Sequence, residues 1–280
     1  MTMKLIKTDE QLRRFVPQQT VHVKGEASLF DRIAHWLDTA EQWLSDTFTS
    51  SATLNRIASY SDENPLLHIC RAVVAHEALA NAIPSLDLVQ TVNGFAVVSN
   101  QTLTPASKPR IDRLIASHIS CRDSAINSML PMLAEAHAWR GSPQCDFFRA
   151  TLFVTLADIR PLCGLMSWDK FIELRPVIIL AESRLAAEFI SPELMQRLRD
   201  ETLGIASPHS ALHTPLCEAL RSHIADLVNG RPLRDTALRD IVDYIRRHPD
   251  AFPEWHRSDT ARLFSPPVFR NGKESPGYWF

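Results

Sequence analysis

Two histidines and a cysteine in the second half of the chain have the spacing of a metal-binding stripe. His209, His213 and Cys217 are four residues apart, so on one continuous helix they would share a face. Imidazole and thiolate are common zinc ligands. However, Thr214-Pro215 has the residue types of a helix N-cap and a first helical residue. This predicts that both histidines precede the helix in a loop, and we expect no metal site.

A second group of reactive side chains follows Pro65. His68, Cys70, His76 and Glu77 fall on one predicted helix, where His68 and Cys70 are two residues apart and cannot share a face. A single histidine on a half-apolar helix is usually partly buried and hydrogen-bonded. We therefore predict no catalytic residue. A helical enzyme or ligand-binding protein that uses the His68/His76 region is kept as the alternative.

Two glutamates each follow an alanine in similar surroundings, at Ala40-Glu41 and Ala181-Glu182. A shared acid–base role would require the two carboxyl groups to meet. Helix capping or ion pairing is the favoured interpretation for both.

Composition and missing motifs narrow the function classes. The sequence has no G-x-G-x-x-G, no G-x-x-x-x-G-K and no G-x-S-x-G, and only eight glycines in 280 residues, which argues against nucleotide-dependent enzymes and serine hydrolases. The 30 Lys and Arg nearly balance the 32 Asp and Glu, so no general attraction to nucleic acid is expected. We predict a non-enzymatic protein with no cofactor and no sequence-specific nucleic-acid partner.

The cysteines and the apolar runs indicate the cellular compartment in which the protein is expected. The five cysteines are widely spaced and never form Cys-x-x-Cys, which is typical of thiols in a reducing cytoplasm. The first residues are charged too early for a secretory signal. The longest purely apolar run is Val177 to Ala181, so we expect no bilayer-spanning segment and no membrane partner.

Apolar periodicity predicts a mainly α fold. The first long helix is predicted over about 27–48. The second begins with Asn64 as N-cap and Pro65 as first residue, and ends at Pro84. A third is predicted over about 106–138. The later helices are predicted at about 168–188, 191–202, 214–228 and 233–248.

Two apolar-rich runs flank Asn93-Gly94, the dipeptide that favours a type I′ turn. This predicts a β-hairpin near 88–99. An isolated hairpin is only marginally stable, so it must pack against something. We therefore assign Val92, Asn93, Gly94 and Phe95 to a predicted interface.

One block of sequence recurs. Residues 40–57 and 181–198 align without a gap, and the Asn64-Pro65 helix start is followed later by Thr214-Pro215. Chance likeness between two amphipathic helices is the alternative, but the match predicts a duplicated helical module. The aligned pairs include Glu41 with Glu182, Leu44 with Leu185, Phe48 with Phe189, and Ser50 with Ser191. After the two helix starts, Arg71 corresponds to Arg221.

The C-terminal residues combine prolines with aromatic side chains. Three aromatic residues at the end of an extended arm are expected to be covered, because each buries roughly 150–250 Å². The arm can fold back on its own domain or bind a neighbouring copy, and both remain open. We add Phe269, Tyr278, Trp279 and Phe280 to the predicted interface.

The stretch "NGFAVVSNQTLTPASKPRIDRLI" at 93–115 resembles the signature of an uncharacterised family encoded in prophage-like elements of bacteroidete bacteria. The typical form is "GFGVVSN", then "APASK", then a helix with the spacing of Arg110, Asp112, Arg113 and Leu114. The resemblance covers nearly the whole chain and departs at Lys108-Pro109, where a helix-forming residue is more usual than proline. The block "FISPEL" with its preceding helix is also similar to head–tail connector (adaptor) proteins of tailed phages.

These resemblances imply a virion structural role and no catalytic residues. We predict a mainly α protein with a helical repeat at 1–140 that contains the hairpin, a second repeat at 141–250, and an extended aromatic tail at 251–280. The predicted function is a non-enzymatic head–tail connector or neck component. Its partners would be itself, in a ring, and other phage head and tail proteins. It would be cytoplasmic during assembly and part of the virion if the phage is active. A regulatory protein-interaction module is a further alternative.

Overall fold

The computed structural model describes residues 4–16, 27–86, 88–91, 94–97, 107–164, 166–231 and 235–265. The described chain is mainly helical, which confirms the predicted fold class. It divides into two compact units. Unit 1 contains residues 1–176 and 199–207, and unit 2 contains residues 177–198 and 208–280.

Helices account for most of the described residues. Those before the strands are α1 (Asp9–Arg13), α2 (Leu29–Arg32), α3 (Ala34–Leu44), the π turn π1 (Ser45–Thr49), α4 (Ser51–Ala58) and α5 (Pro65–Leu86). Those after them are α6 (Lys108–Glu135), α7 (His137–Arg140), α8 (Pro143–Arg149), α9 (Leu156–Cys163), α10 (Trp168–Leu185), the π turn π2 (Ala186–Ile190), α11 (Pro192–Leu203), α12 (His213–Val228), α13 (Asp235–Arg247), α14 (Pro253–His256) and α15 (Asp259–Leu263).

Two short strands connect α5 to α6. Strand β1 (Leu88–Thr91) pairs antiparallel with β2 (Gly94–Val97), and Thr91 lies opposite Gly94. Of the predicted interface residues, Gly94 and Phe95 belong to the backbone of β2, and the side chain of Phe95 is not among those described. Val92 and Asn93 lie outside them altogether.

Helix boundaries follow the predictions in part. The predicted start of α5 is confirmed, because the side chain of Asn64 accepts a hydrogen bond from the Leu67 N–H at 3.1 Å. The predicted end at Pro84 is wrong, since α5 continues to Leu86. A proline removes only its own N–H, so the residues after Pro84 can still complete the last turn.

The start of α12 also differs from the prediction. The helix begins at His213, and its N-cap is Leu212. The prediction that Thr214 caps the helix and that His213 precedes it in a loop is therefore wrong. A buried histidine that stacks on Phe252 holds the first turn in place of a hydroxyl cap.

The same backbone device ends α3 and α10. Each helix widens into a π turn, and the serine that follows has a positive φ, 71° at Ser50 and 77° at Ser191. No other described non-glycine residue has a positive φ, and such a conformation costs about 1–3 kcal/mol. Both serines offset part of that cost by capping the next helix, since their Oγ atoms accept from Thr53 N and Leu194 N.

A tryptophan is bonded to each π turn. The Trp139 indole N–H donates to the Phe48 carbonyl at 2.7 Å, and the Trp255 indole N–H donates to the Phe189 carbonyl at 2.8 Å. Three residues after each tryptophan, a serine hydroxyl donates back to its carbonyl and caps a short helix. We call this arrangement of π turn, tryptophan and serine the π-turn lock.

The centre of unit 1 is aromatic. The Phe48 ring stacks on Phe148 at 5.6 Å and meets Trp168 edge-on at 5.5 Å, and all three are fully buried. The Arg175 guanidinium covers Phe148 and donates to the Phe147 and Phe153 carbonyls. Because residues 141–176 contribute so much of this core, the structural division falls well beyond the boundary predicted at residue 140.

The centre of unit 2 is formed by α12, α13 and the residues after them. His213, at the first turn of α12, donates from Nε2 to the Ala251 carbonyl at 2.8 Å and stacks on Phe252. Trp255 and Phe264 cover π2 from the C-terminal side. The fully or nearly fully buried apolar residues of the two long helices are Leu216, Leu220, Ile224, Leu238, Val242 and Ile245.

One described helix, Pro65–Leu86, is long and apolar enough to cross a membrane by length and composition alone. The buried core helix of a folded domain meets the same criterion, so the expectation of no bilayer-spanning segment stays a prediction. In the structure, 61% of the apolar window is buried, since α5 packs between α3 and α6 within unit 1.

The π-turn locks predict matched losses of stability. Trp139→Phe and Trp255→Phe each remove an indole donor and leave a phenylalanine carbonyl unpaired, which costs about 1–3 kcal/mol apart from the lost ring volume. We expect both variants to unfold at lower denaturant than the wild type, measured by circular dichroism. Trp36→Phe, at a half-buried position on α3, is the control and should cost less. An unchanged midpoint for either lock variant would contradict the role of the bond.

Candidate functional site

The densest cluster of charged side chains in the described residues surrounds Arg122. This arginine lies on α6 and is 4% exposed. Its guanidinium donates to Glu77 at 2.7 Å, to Asp123 at 2.8 and 3.0 Å, and to Asp169 at 2.9 Å. The Trp43 ring lies 5.3 Å from the guanidinium carbon. We call these residues the Arg122 network.

The Arg122 network joins three helices of unit 1, because Glu77 lies on α5, Asp123 on α6 and Asp169 on α10. The Trp168 indole N–H donates to the Asp123 carbonyl at 3.1 Å, which fixes the start of α10 against α6. Arg122 uses Nε and both terminal nitrogens in these bonds. Because its N–H groups are bonded to the carboxylates of three helices, Arg122 is suited to hold these helices together.

Burial and neighbouring charges shift the pKa values of the residues in the Arg122 network. Burial raises the pKa of Asp123, although the facing Arg122 guanidinium opposes the shift. For Arg122, burial alone would lower the pKa, but the hydrogen bonds and charges of Glu77, Asp123 and Asp169 raise it well above its ordinary value. The guanidinium therefore keeps its proton and its charge, so it cannot serve as a general acid, although it donates hydrogen bonds.

A histidine pair lies next to the network. His76 on α5 and His118 on α6 have their Nδ1 atoms 3.0 Å apart, so one ring must donate its proton to the other. Burial and the neighbouring His118 lower the pKa of His76 to about 4, and burial lowers the pKa of His118. Two imidazolium ions at this distance, one turn from Arg122, would repel strongly, so the pair is neutral near pH 7.

Glu41 occupies a second buried polar site. Its Oε1 accepts from the Leu5 N–H at 2.6 Å and from the Ile6 N–H at 3.4 Å. Arg71 donates to the Leu5 carbonyl at 2.8 Å and pairs with Asp62. Glu41 and Arg71 therefore hold both sides of one extended backbone segment, an arrangement that we call the Glu41 clamp.

Solvent reaches the edge of the Glu41 clamp. A cavity of about 280 Å³ is lined by Lys4, Asp38, Glu41, Gln42 and Ser45, and Lys4 pairs with Asp38 at 2.8 Å. Burial raises the pKa of Glu41, while the backbone donors of Leu5 and Ile6 oppose the shift. The carboxylate is used to satisfy the backbone donors of Leu5 and Ile6, which precede α1, so this contact is not the helix capping expected from the sequence.

The structure separates the residues that the sequence grouped near Pro65. His68 is exposed and packs against Phe15. Cys70 is fully buried, its thiol lies 3.7 Å from the Met129 sulfur, and burial raises its pKa to about 12. Two residues of this group meet titratable partners that the sequence did not associate with them: His76 meets His118, and Glu77 pairs with Arg122.

The second predicted group also serves packing. His209 is exposed, His213 is bonded to the Ala251 carbonyl, and Cys217 is buried on α12. Within the described residues, no group of three or more His, Cys, Asp or Glu side chains could hold a metal ion. Glu182, which aligns with Glu41 in the sequence, is completely buried. Phe269, Tyr278, Trp279 and Phe280 lie outside the described residues.

Sequence reasoning missed the π-turn locks and the Arg122 network, and only the locks have a recognisable sequence signal. Trp139-Arg140-Gly141-Ser142 and Trp255-His256-Arg257-Ser258 share the pattern Trp-x-x-Ser, and each forms one π-turn lock. The Arg122 network could not be found in this way, because an adjacent Arg-Asp pair on a helix usually indicates an exposed face.

Comparison with known proteins places the chain in a family. The family model DUF6712, a family of unknown function, matches residues 25–149 and 229–265. The match covers more than half of the chain, so the protein belongs to this family. That result confirms the prediction of an uncharacterised family, and the matched ranges contain both Trp-x-x-Ser motifs. No curated protein and no solved structure matches the chain.

Arg122→Met tests the network. Removing the guanidinium leaves the carboxylates of Glu77 and Asp123 buried without their partner, which is expected to cost about 3–5 kcal/mol of unfolding free energy. Arg184→Met is the matched control, since Arg184 forms an exposed pair with Glu188 at 3.0 Å and should cost less than about 1 kcal/mol. Denaturant titration measures both, and equal losses would contradict the network's structural role.

The histidine pair predicts a pH dependence of stability. The folded pKa of His76 is lowered to about 4, whereas a histidine in the unfolded chain has its ordinary pKa of about 6.5. The unfolded state therefore binds more protons between these values, and stability is lost as pH falls from about 6.5 toward 4. His76→Gln should flatten this part of the profile, whereas the exposed control His68→Gln should not. Parallel profiles for wild type and His76→Gln would show that the pair does not titrate as described.

Proposed function

We propose that the protein is a non-enzymatic structural protein of a phage or prophage particle that assembles through protein–protein contacts. The most concrete role is a head–tail connector or neck component. The observation that carries the proposal is the repeated π-turn lock, because the π turn π2 of one lock lies within the sequence block that resembles the connector proteins. The buried ionisable groups support it, since the Arg122 network and the Glu41 clamp bind the protein's own backbone and helices.

Duplication of one helical module is part of the proposal. At one constant offset, Phe48 and Phe189 accept a tryptophan N–H, and Ser50 and Ser191 adopt the same positive φ. A second correspondence lies upstream of each block. Leu5 and Ile6 are as buried as Leu152 and Phe153, and the threonines that follow both sets, Thr8 and Thr155, are helix N-caps.

Hydrogen bonds strengthen this upstream correspondence. The Lys7 N–H donates to Gln11 Oε1 at 2.8 Å, and the Val154 N–H donates to Asp158 Oδ2 at 3.1 Å. Each acceptor lies three residues after its N-cap threonine. Chance similarity between amphipathic helices does not account for shared caps, shared backbone conformation and shared tryptophan bonds, so the local geometry favours duplication.

The two copies differ most in the pair of long helices that ends each copy, both in helix length and in the connection between the helices. In the first copy, α5 and α6 have 22 and 28 residues and are joined through the β-strands. In the second, α12 and α13 have 16 and 13 residues. The first ten residues of α6, 108–117, contain no buried residue. This part of α6 is therefore an addition that the core of unit 1 does not require.

Exposed apolar side chains on unit 2 offer a contact surface. Leu180 is 73% exposed and Val177, three residues earlier on α10, is 49% exposed, so the two lie side by side on the helix. Single exposed apolar residues are common, but an adjacent pair is suited to a subunit interface. In this proposal the chain binds copies of itself and other head or tail proteins, in the cytoplasm during assembly and later in the virion.

Light scattering coupled to size-exclusion chromatography, with negative-stain imaging, tests the assembly. We expect a closed oligomer whose population rises with protein concentration. Leu180→Lys should raise the dissociation constant about tenfold or more by burying a charge in place of an apolar group. Ser183→Lys, at an exposed position on the same helix, is the control. A strict monomer at every concentration, with or without the portal protein of the same element, would overturn the proposal.

The alternative of a ligand-binding protein or enzyme has one observation in its favour, the His76–His118 pair at 3.0 Å. It predicts that a small molecule or metal shifts the melting temperature of the wild type and not of His76→Gln. A specific complex with a single host protein, without self-assembly, would instead favour the regulatory interaction module.

A further inference from the structure

An apolar groove separates α12 from α13 in unit 2. Its volume is about 340 Å³, and its walls include Pro215, Ala219 and His223 from α12 and Ala237, Ile241 and Tyr244 from α13. Burial lowers the pKa of His223, so this wall is neutral near pH 7. The groove is therefore mainly apolar, with Tyr244 as its aromatic side chain and Asp240 as the one acidic side chain among the described residues that line it.

We propose that this groove binds the C-terminal segment 266–280 of a second copy of the chain, with a ring of Tyr278, Trp279 or Phe280 on its apolar floor. The inference rests on the proposed assembly and names one of its contacts. The segment supplies aromatic side chains that can fill the groove, and each of them buries roughly 150–250 Å² when covered. Tyrosine and tryptophan are also the residues most often found at the energetic centre of interfaces.

The length of the segment permits such a contact. The described chain ends at Ser265, two residues after α15, and Phe264 packs against Phe189 and Trp255 in unit 2. Fifteen further residues follow in the sequence. Fully extended, they can span about 50 Å, which is enough to reach a neighbouring copy.

Charge is complementary at the edge of the groove. Asp240 lines it on α13 and is exposed. The segment carries Arg270 and Lys273 against a single acidic side chain, Glu274. Opposite charges at the rim of an apolar contact mainly set the orientation of the partner, so an aromatic end in the groove with the basic residues near Asp240 satisfies both requirements.

Photo-cross-linking of the full chain tests the inference directly. Tyr278 is replaced by p-benzoylphenylalanine, and ¹⁴N-labelled and ¹⁵N-labelled proteins are mixed, irradiated, digested and analysed by mass spectrometry. We expect cross-links from the C-terminal peptide to α12 or α13, with mixed-label pairs present. Same-label pairs alone, or cross-links to other surfaces, would overturn the inference.

Groove-filling variants sharpen the test. Ala219→Trp and Ala237→Trp, on opposite walls, should each reduce the cross-link yield about tenfold, as expected for loss of one anchoring side chain worth about 1.4 kcal/mol. Ala157→Trp, at an exposed position on α9, should leave the yield unchanged, and circular dichroism verifies that each variant is folded.

The outcomes separate the two proposals. If oligomers form but the cross-links map to surfaces other than the groove, the proposed assembly is retained and only the assignment of the groove is wrong. If no oligomer forms, the proposed function fails with it.

Discussion

The hydrogen bond between a tryptophan N–H and the carbonyl of a π turn is the contact around which each unit is organised. A π turn widens the helix and takes its last carbonyls out of the regular ladder, so a buried carbonyl there needs an outside donor. Trp139 and Trp255 supply it. In unit 1 the same turn directs Phe48 between Phe148 and Trp168. Loss of the bond would therefore disturb the aromatic core as well as the end of a helix.

The Arg122 network addresses a different problem, which is how to fix three helices without a larger apolar core. Burying a guanidinium and two carboxylates costs several kcal/mol per ion, and only near-complete hydrogen bonding compensates for that cost. The network meets this condition through Glu77, Asp123 and Asp169. Its value lies in specificity more than in net stability, because a shifted α5 or α10 would leave a buried charge unpaired.

Much of the fold was predictable because the local signals were strong. Asn64-Pro65 marks a helix start that the structure retains, and the repeated Ala-Glu block marks both helices that end in π turns. The π turns themselves were not predictable, since the apolar spacing of Leu44 and Phe48 fits an ordinary helix equally well.

The candidate sites were predicted less well, because they depend on contacts between residues distant in sequence. His76 and His118 meet through the packing of α5 on α6, and nothing near either histidine in the sequence indicates the other. Arg122 and Asp123 have the appearance of a solvated helix face but lie 4% and 3% exposed. His213 was assigned to a loop because Pro215 suits a first helical position, yet packing on Phe252 extends the helix to it. In each case tertiary packing outweighed a local preference.

A duplicated chain that remained identical in both halves would present similar surfaces on each. A closed ring with heterologous contacts requires the opposite, namely two different surfaces that fit each other. In the proposed duplication, the two copies differ in the way that such contacts require. Within the described residues, strands occur only in the first copy, whose two long helices are also the longer pair, and the second copy is followed in the sequence by a segment that ends in three aromatic residues. On this proposal the two π-turn locks keep both helical frameworks intact while these additions differ, so the chain can acquire unlike surfaces without giving up either core.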